Sequence, residues 1–322
     1  MQNLADIGNL GIKHSFDMHK TAQRVEGMLS VLPTPYFTSS YMTLYKDDAV
    51  KILSAMPNDS VDCIVTSPPY YGKRDYGVDG QLGLEEHPQM YINKLVEAFR
   101  EAQRVLKPTG SLWVNIGDTY WSGKGRSHGV DAKQKNRRFD RPQDKSGKAP
   151  WCVPKQLLLI PHRFAIAMQD EGWIVRNDNV WHKPAPIPDP IADRCALAHE
   201  YVFHFVKQKR YYFDAEAVAI PSNGKRETKP PFSVWVVPTV SEQTISRRKK
   251  HIAAFPEQLV SLPILATCPP NSVLLDPFCG SGTALFAAIS RGDGREAIGI
   301  DISEKALQEV KNIVDLLEKG KA

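Results

Sequence analysis

Apolar positions along this chain follow two periods. Short runs rich in Val, Ile and Leu predict strands at Tyr41–Lys46, Ser60–Thr66, Ser111–Ile116, Trp173–Val180, Ser272–Leu275 and Glu296–Ile300. Between them, helical spacing predicts helices over Asp48–Ala55, Met90–Leu106, Leu157–Glu171, Thr283–Ser290 and Ser303–Leu317. In the second of these, Ile92, Leu95, Val96, Phe99, Ala102 and Val105 share one face, and Lys107-Pro108-Thr109-Gly110 closes it. Gly172 closes the third, and His199–Val206 with Tyr211–Phe213 reads as a late pair of strands. Alternation of this kind predicts an α/β fold: a mostly parallel twisted sheet with helices on both faces.

The glycine-rich turn Phe278-Cys279-Gly280-Ser281-Gly282 lies between a strand and a helix, where a nucleotide site belongs. Only one further βα unit follows before the chain stops. Two strands make no stable sheet, so their neighbours must come from the N-terminal half and the core order reads as circularly permuted. The expected organisation is a single catalytic domain over 37–322, preceded by an unassigned extension at 1–36. Two insertions interrupt it, at about 121–150 and 222–250.

Composition narrows the class. Twenty-four prolines in 322 residues exceed the usual share of about 5% and disfavour a helical bundle. No apolar run reaches the ~20 residues of a membrane span, and the N-terminus has no secretory pattern. Five scattered cysteines without a CxxC pair suit reduced thiols in a cytoplasmic protein. The net charge of +5 is unevenly spread. Between 121 and 150, Lys124, Arg126, Lys133, Lys135, Arg137, Arg138, Arg141, Lys145 and Lys148 face three Asp, a local +6. Between 222 and 250, Lys225, Arg226, Lys229, Arg247, Arg248, Lys249 and Lys250 face two Glu, a local +5. The remaining body is therefore acidic, at −6. Both insertions lack hydrophobic periodicity and read as long loops, and basic residues on such loops suit a polyanion such as double-stranded DNA.

The segment Asp276-Pro277-Phe278-Cys279-Gly280-Ser281-Gly282-Thr283 carries chemistry. Gly280 and Gly282 let the backbone turn sharply and approach a ligand. Asp301 ends the next strand 21 residues after Gly280, near the spacing at which an acid bonds ribose hydroxyls. Leu285 stands where a dinucleotide motif has its third glycine. Asp276 can accept from an ammonium group and Phe278 can pack on a ligand, so S-adenosyl-L-methionine fits better than NAD. Cys279 reads as a small core residue of the turn.

Ser67-Pro68-Pro69-Tyr70 follows a buried strand. An exocyclic amine on a nucleobase has its lone pair delocalised into the ring. Two acceptors on its N–H groups, the Ser67 hydroxyl and the Pro68 carbonyl, would give the nitrogen the tetrahedral character that attack on a methyl group requires. Pro69 stiffens the turn and Tyr70 offers a ring face for stacking. Transfer is then direct and in line, and the base must leave the duplex. Cytosine-C5 chemistry uses a Cys nucleophile, usually in a Pro-Cys dipeptide, and no such dipeptide occurs.

In these residues the chain resembles the amino-group DNA methyltransferases. SPPY at Ser67–Tyr70 precedes DPFCGSGT at Asp276–Thr283, the order of that family's permuted β group. The resemblance implies a Rossmann-like fold dependent on S-adenosyl-L-methionine. It places Asp48 against the cofactor adenine and Phe255, in His251–Glu257, over the cofactor. Trp181 and Lys183, in Val180–Pro184, would line the target-base pocket. His199, His251 and Glu200 read as structural hydrogen-bonders, and no spacing makes a metal site. In this family SPPY usually accompanies cytosine N4, and an acidic DPPY adenine N6. A site-specific cytosine-N4 methyltransferase of a prokaryotic restriction–modification system is thus expected. Adenine-N6 specificity and an inactive DNA-binding protein are the alternatives. Homodimerisation and pairing with a cognate restriction endonuclease stay open at this point.

Overall fold

The computed structural model describes residues 2–3, 32–73, 75–121, 151–186, 191–222, 224, 226–239 and 255–319. Ten strands form one mixed sheet: β1 (Gln2–Asn3), β2 (Phe37–Thr38), β3 (Met42–Lys46), β4 (Val61–Thr66), β5 (Leu106–Ile116), β6 (Ile174–His182), β7 (His199–Val206), β10 (Val234–Val236), β11 (Val273–Asp276) and β12 (Glu296–Asp301). A separate hairpin pairs β8 (Ile220–Pro221) with β9 (Thr228–Lys229). The order across the sheet is β1-β10-β6-β7-β5-β4-β11-β12-β3-β2. The last two strands of the chain therefore lie inside the sheet, flanked by β4 and β3 from the N-terminal half. From β5 to β3 every pairing is parallel, whereas β7 runs antiparallel to both β5 and β6.

Side chains alternate between two cores, as strands buried on both faces require. On one face, Val61, Ile64, Leu112, Val114 and Leu275 meet the helices α1 (Ala49–Ala55), α2 (Pro88–Val105) and α3 (Ile160–Asp170). On the other, Cys63, Val65, Trp113 and Leu274 meet α4 (Glu257–Thr267), α5 (Thr283–Ile289) and α6 (Glu304–Glu318). The α2 face expected from periodicity is the buried one. At roughly 1.5–3 kcal/mol per large apolar side chain, it is enough to hold the helix on the sheet. Phe99 of that face contacts Phe278 of the glycine-rich turn, with ring centroids 6.3 Å apart, so packing on α2 reaches the site.

Several elements differ from the sequence reading. Helix α2 begins at Pro88 because the His87 side chain caps it, accepting from the Gln89 amide at 3.0 Å. Lys107–Gly110 belongs to β5 as a bulge: Val61 pairs Leu106 and Cys63 pairs Ser111, so Asp62 alone faces four residues. Helix α3 starts three residues later than expected, since Leu159 adopts a left-handed φ of 55°. Tyr211–Phe213 is not a strand. Its Tyr211 and Phe213 rings pack on the His204 ring instead of joining a ladder. Part of the second insertion is ordered sheet, because buried Trp235 draws Val234–Val236 alongside β6. Within the unassigned extension, Gln2–Asn3 pairs parallel with β10, and Leu32 joins the core. Among the described residues, no helix is long and apolar enough to cross a membrane.

Candidate active site

Parallel strands deliver their carboxyl ends to one edge of the sheet, and loops there meet in a crevice. This edge receives Ser67–Tyr70 after β4, Gly117 and Asp118 after β5, Asp276–Gly282 after β11 and Asp301 at the end of β12. Because β7 is antiparallel, it brings its starting residues His199 and Glu200 to the same edge. There Tyr201 pairs Ile116 and Glu200 pairs Trp181 of β6.

Two motifs 210 residues apart are joined directly. Thr66, the last residue of β4, donates its hydroxyl to Asp276 Oδ1 at 2.6 Å, and the Phe278 amide donates to the same oxygen at 3.1 Å. Asp276 is fully buried, and its second oxygen, Oδ2, has no partner among the described residues. Burial pushes its carboxyl up to about 7. A buried carboxylate with one oxygen unsatisfied is costly unless a donor arrives. The ammonium group of S-adenosyl-L-methionine is a donor of the right charge.

The loop that follows is held open by its backbone. Gly280 and Gly282 have positive φ, 48° and 75°, and a Cβ added at Gly280 would meet nothing within 4 Å among the described residues. At Gly282, which starts α5, an added Cβ would lie 3.1 Å from both Phe286 and Val310. Gly282→Ala is therefore expected to cost about 1–3 kcal/mol through combined backbone strain and crowding. Denaturant unfolding checks this, and an unchanged midpoint would contradict it. Asp301 ties the loop down: Oδ2 accepts from the Gly280 amide and Oδ1 from the Ser303 amide, each at 2.8 Å. Its carboxylate thus braces the two loops, a role that the ribose reading did not anticipate. Ser281 and Thr283 face each other, with hydroxyl oxygens 3.3 Å apart. Cys279 is buried beneath the turn, as its size suggested. Asp48 caps α1, accepting from the Val50 and Lys51 amides at 2.9 and 3.3 Å. Phe255 lines a small cavity together with Thr66, Asn115, Leu259 and Pro263.

Around the tetrapeptide, the Tyr91 hydroxyl donates to the Pro69 carbonyl at 2.8 Å and fixes the turn. Pro68 is buried, while Ser67, Pro69 and Tyr70 are half-buried. The Tyr70 hydroxyl lies 2.5 Å from Glu200 Oε2 and 3.0 Å from Asn115 Oδ1. Burial, reinforced by the Glu200 charge, holds the Tyr70 hydroxyl well above its ordinary range, so it stays protonated. Gly117 permits this arrangement by close approach: a Cβ there would sit 2.8 Å from the Tyr70 ring.

The two residues expected to line the target-base pocket are placed differently. Trp181 points into the core, and its indole N–H donates to the Val237 carbonyl at 2.8 Å. On a strand, a side chain committed to one face is not available to a base in the crevice. Lys183 is paired with Glu200, and its ammonium lies 4.5 Å from the centroid of the Trp181 ring. The basic residues Lys124, Arg126, Lys133, Lys135, Arg137, Arg138, Arg141, Arg247 and Arg248 lie outside the described residues, as does 251–254. Thr66, Asn115 and Tyr91 were not anticipated. The first two carried a signal, since each is a polar residue within a buried apolar strand.

Known proteins resemble this chain in sequence and in fold. A family model described as DNA methylase, of the N6/N4 methyltransferase type, matches residues 61–312. The Type II methyltransferase M.Cfr9I of Citrobacter freundii is 41% identical over 264 residues, covering 81% of this chain and 83% of its own length. The Type II methyltransferase M.SmaI of Serratia marcescens is 39% identical over 260 residues, covering 80% and 85%. Among solved structures, the cytosine-N4-specific PvuII DNA methyltransferase superposes with a TM-score of 0.62 at 21% identity, covering 87% of this chain and 95% of that one. A DNA modification methylase of Thermus thermophilus, solved with S-adenosyl-L-methionine, superposes with a TM-score of 0.53 at 25% identity, covering 84% and 91%. With the sheet order, the two motifs and these relatives in agreement, the chain belongs to the DNA methylase family of amino-group methyltransferases.

Proposed function

We propose that this protein methylates the exocyclic N4 amine of cytosine in double-stranded DNA. In this reading it is the modification enzyme of a restriction–modification pair, acting in a prokaryotic cytoplasm. The observation that carries the reading is the Thr66–Asp276 hydrogen bond, which sets the Ser67–Tyr70 turn beside the glycine-rich loop. When bound, S-adenosyl-L-methionine supplies the methyl group as an electrophile on a sulfonium. Asp276 holds its ammonium end, Phe278 and Phe255 pack around it, and the backbone from Gly280 to Thr283 gives it room. Asp48 and Asp301 stand at neighbouring strand ends, where an adenosine moiety would lie.

For the acceptor, the Ser67 hydroxyl and the Pro68 carbonyl take the two amine N–H bonds and free the nitrogen lone pair. Tyr91 keeps the turn rigid, so these acceptors need no rearrangement at the moment of transfer. The Tyr70 ring stacks on the extruded base, which the enzyme must take out of the duplex to reach its amine. Serine at the head of the tetrapeptide supports cytosine over adenine, as does the cytosine-N4-specific enzyme of the same fold.

Treating unmethylated genomic DNA with the protein and sequencing it by a modification-sensitive method tests the assignment. N4-methylcytosine at one short recurring site is expected. N6-methyladenine would move the activity to adenine, and an unmodified genome would sink both. The basic insertions are proposed to grip the DNA backbone. Replacing Lys133, Lys135, Arg137 and Arg138 by Gln should make the slope of log K against log salt shallower by about 3–4, at roughly 0.9 for each phosphate no longer neutralised. Fluorescence anisotropy over a salt series measures this, and an unchanged slope would place the grip elsewhere.

A further inference from the structure

The hydrogen bonds around Tyr70 are one proton short. A phenol has one proton to give, yet the Tyr70 hydroxyl faces two acceptors, Glu200 Oε2 at 2.5 Å and Asn115 Oδ1 at 3.0 Å. Asn115 cannot turn its amide to relieve this. Its Nδ2 already donates to Glu200 Oε2 and to the Tyr201 carbonyl, each at 3.2 Å. The other oxygen of Glu200 is taken by Lys183. On the substrate side, Ser67 Oγ donates to the Tyr70 oxygen at 3.5 Å. A continuous line therefore runs from the residue that meets the amine to a carboxylate at the edge of the pocket, where the Glu200 side chain is 14% exposed. Gly117 keeps the line tight: a Cβ there would lie 3.2 Å from the Glu200 carboxyl carbon.

We propose that Ser67, Tyr70 and Glu200 form a proton line that removes the proton lost by the substrate amine as it is methylated. The proposal rests on the amine-methylation reading above and adds the fate of the proton to it. As the N–C bond forms, the methyl–sulfur bond of the sulfonium breaks with its electron pair going to sulfur, and one N–H bond breaks with its pair staying on nitrogen. That proton passes to Ser67 Oγ, the Ser67 hydroxyl proton passes to the Tyr70 oxygen, and the Tyr70 proton passes to Glu200 Oε2. One carboxylate is neutralised for the one cationic charge consumed, so atoms and charge balance. The network then has its missing proton: protonated Glu200 donates back to the Tyr70 oxygen, and Tyr70 donates to Asn115. From Glu200 the proton leaves to solvent.

Tyr70→Phe keeps the stacking ring and cuts the line, and Glu200→Gln keeps the shape and removes the acceptor. Single-turnover methylation by each is expected to fall about 100-fold, within the range for proton-transfer catalysis. Cofactor affinity by calorimetry, and base extrusion by 2-aminopurine fluorescence, should change less than about threefold. The wild type should slow about twofold in D2O, and both variants should lose that slowing. Full rates in either variant, an isotope effect unchanged in both, or a rate loss matched by lost cofactor affinity would each overturn the proton line. Absence of any methylated amine with the wild type would instead overturn the function on which it rests.

Discussion

Asp276→Asn is expected to weaken cofactor binding at least about 100-fold and, at pH 8, to make the empty protein more stable. Asp276 is buried with one oxygen unpartnered among the described residues, and burial raises its carboxyl from 3.8 to about 7. Below pH 3.8 it is protonated in both folded and unfolded chains and costs nothing. Between 3.8 and about 7 the unfolded chain ionises while the folded one does not, and stability is lost as pH rises. Above 7 the penalty is constant, at about 4 kcal/mol for a shift of this size. Asparagine has no charge to desolvate, but its amide nitrogen inherits a place without an acceptor, which costs about 1–3 kcal/mol. The net gain at pH 8 is therefore about 1–3 kcal/mol, and it vanishes or reverses at pH 4. Removing one member of a buried ion pair costs roughly 3–5 kcal/mol, so cofactor affinity should fall at least about 100-fold. Unfolding curves at both pH values, with calorimetry on the same samples, check the pair of effects. Wild-type cofactor affinity in the variant would show that Asp276 is a structural acid only.

The second large effect is kinetic. Ser67→Ala removes one of the two acceptors proposed to pyramidalise the amine and leaves the Pro68 carbonyl in place. Loss of one such preorganised group typically costs about 100- to 1000-fold in turnover. Asp276 and the glycine-rich loop are untouched, so the cofactor dissociation constant should stay within about twofold. Tyr91→Phe, which only loosens the turn through Pro69, should cost less. If Ser67→Ala lost cofactor affinity and turnover together, the division of labour between the two loops would be wrong.

Both loops were legible in the sequence because each is local. Ser67–Tyr70 and Asp276–Thr283 are short stretches of distinctive residue types, and the strands before them are plain apolar runs. The flanking of β11 and β12 by N-terminal strands followed from counting the strands that remain after the glycine-rich turn. What stayed hidden depends on contacts distant along the chain. Nothing near Thr66 indicates that its hydroxyl bonds a carboxylate 210 residues away. Glu200 reads as an ordinary strand acid until the antiparallel β7 places it over Tyr70. Helix α4 escaped detection because it is apolar on most sides and carries Pro263 within it, so neither periodicity nor breaker rules point to a helix. Val234–Val236 is too short to show a period and becomes a strand through the burial of Trp235. Trp181 was misjudged for a related reason. An aromatic beside a pocket motif suggests stacking, and only the register of β6 shows that its ring faces the core.

The most direct measurement of the central claim is the nucleoside that carries the label after duplex DNA reacts with methyl-labelled S-adenosyl-L-methionine. With the wild type, digestion and chromatography should place the label in N4-methylcytosine. Ser67→Ala, with its cofactor affinity intact, should leave the DNA essentially unlabelled. Label in any other nucleoside, or equal labelling by Ser67→Ala, would contradict the account.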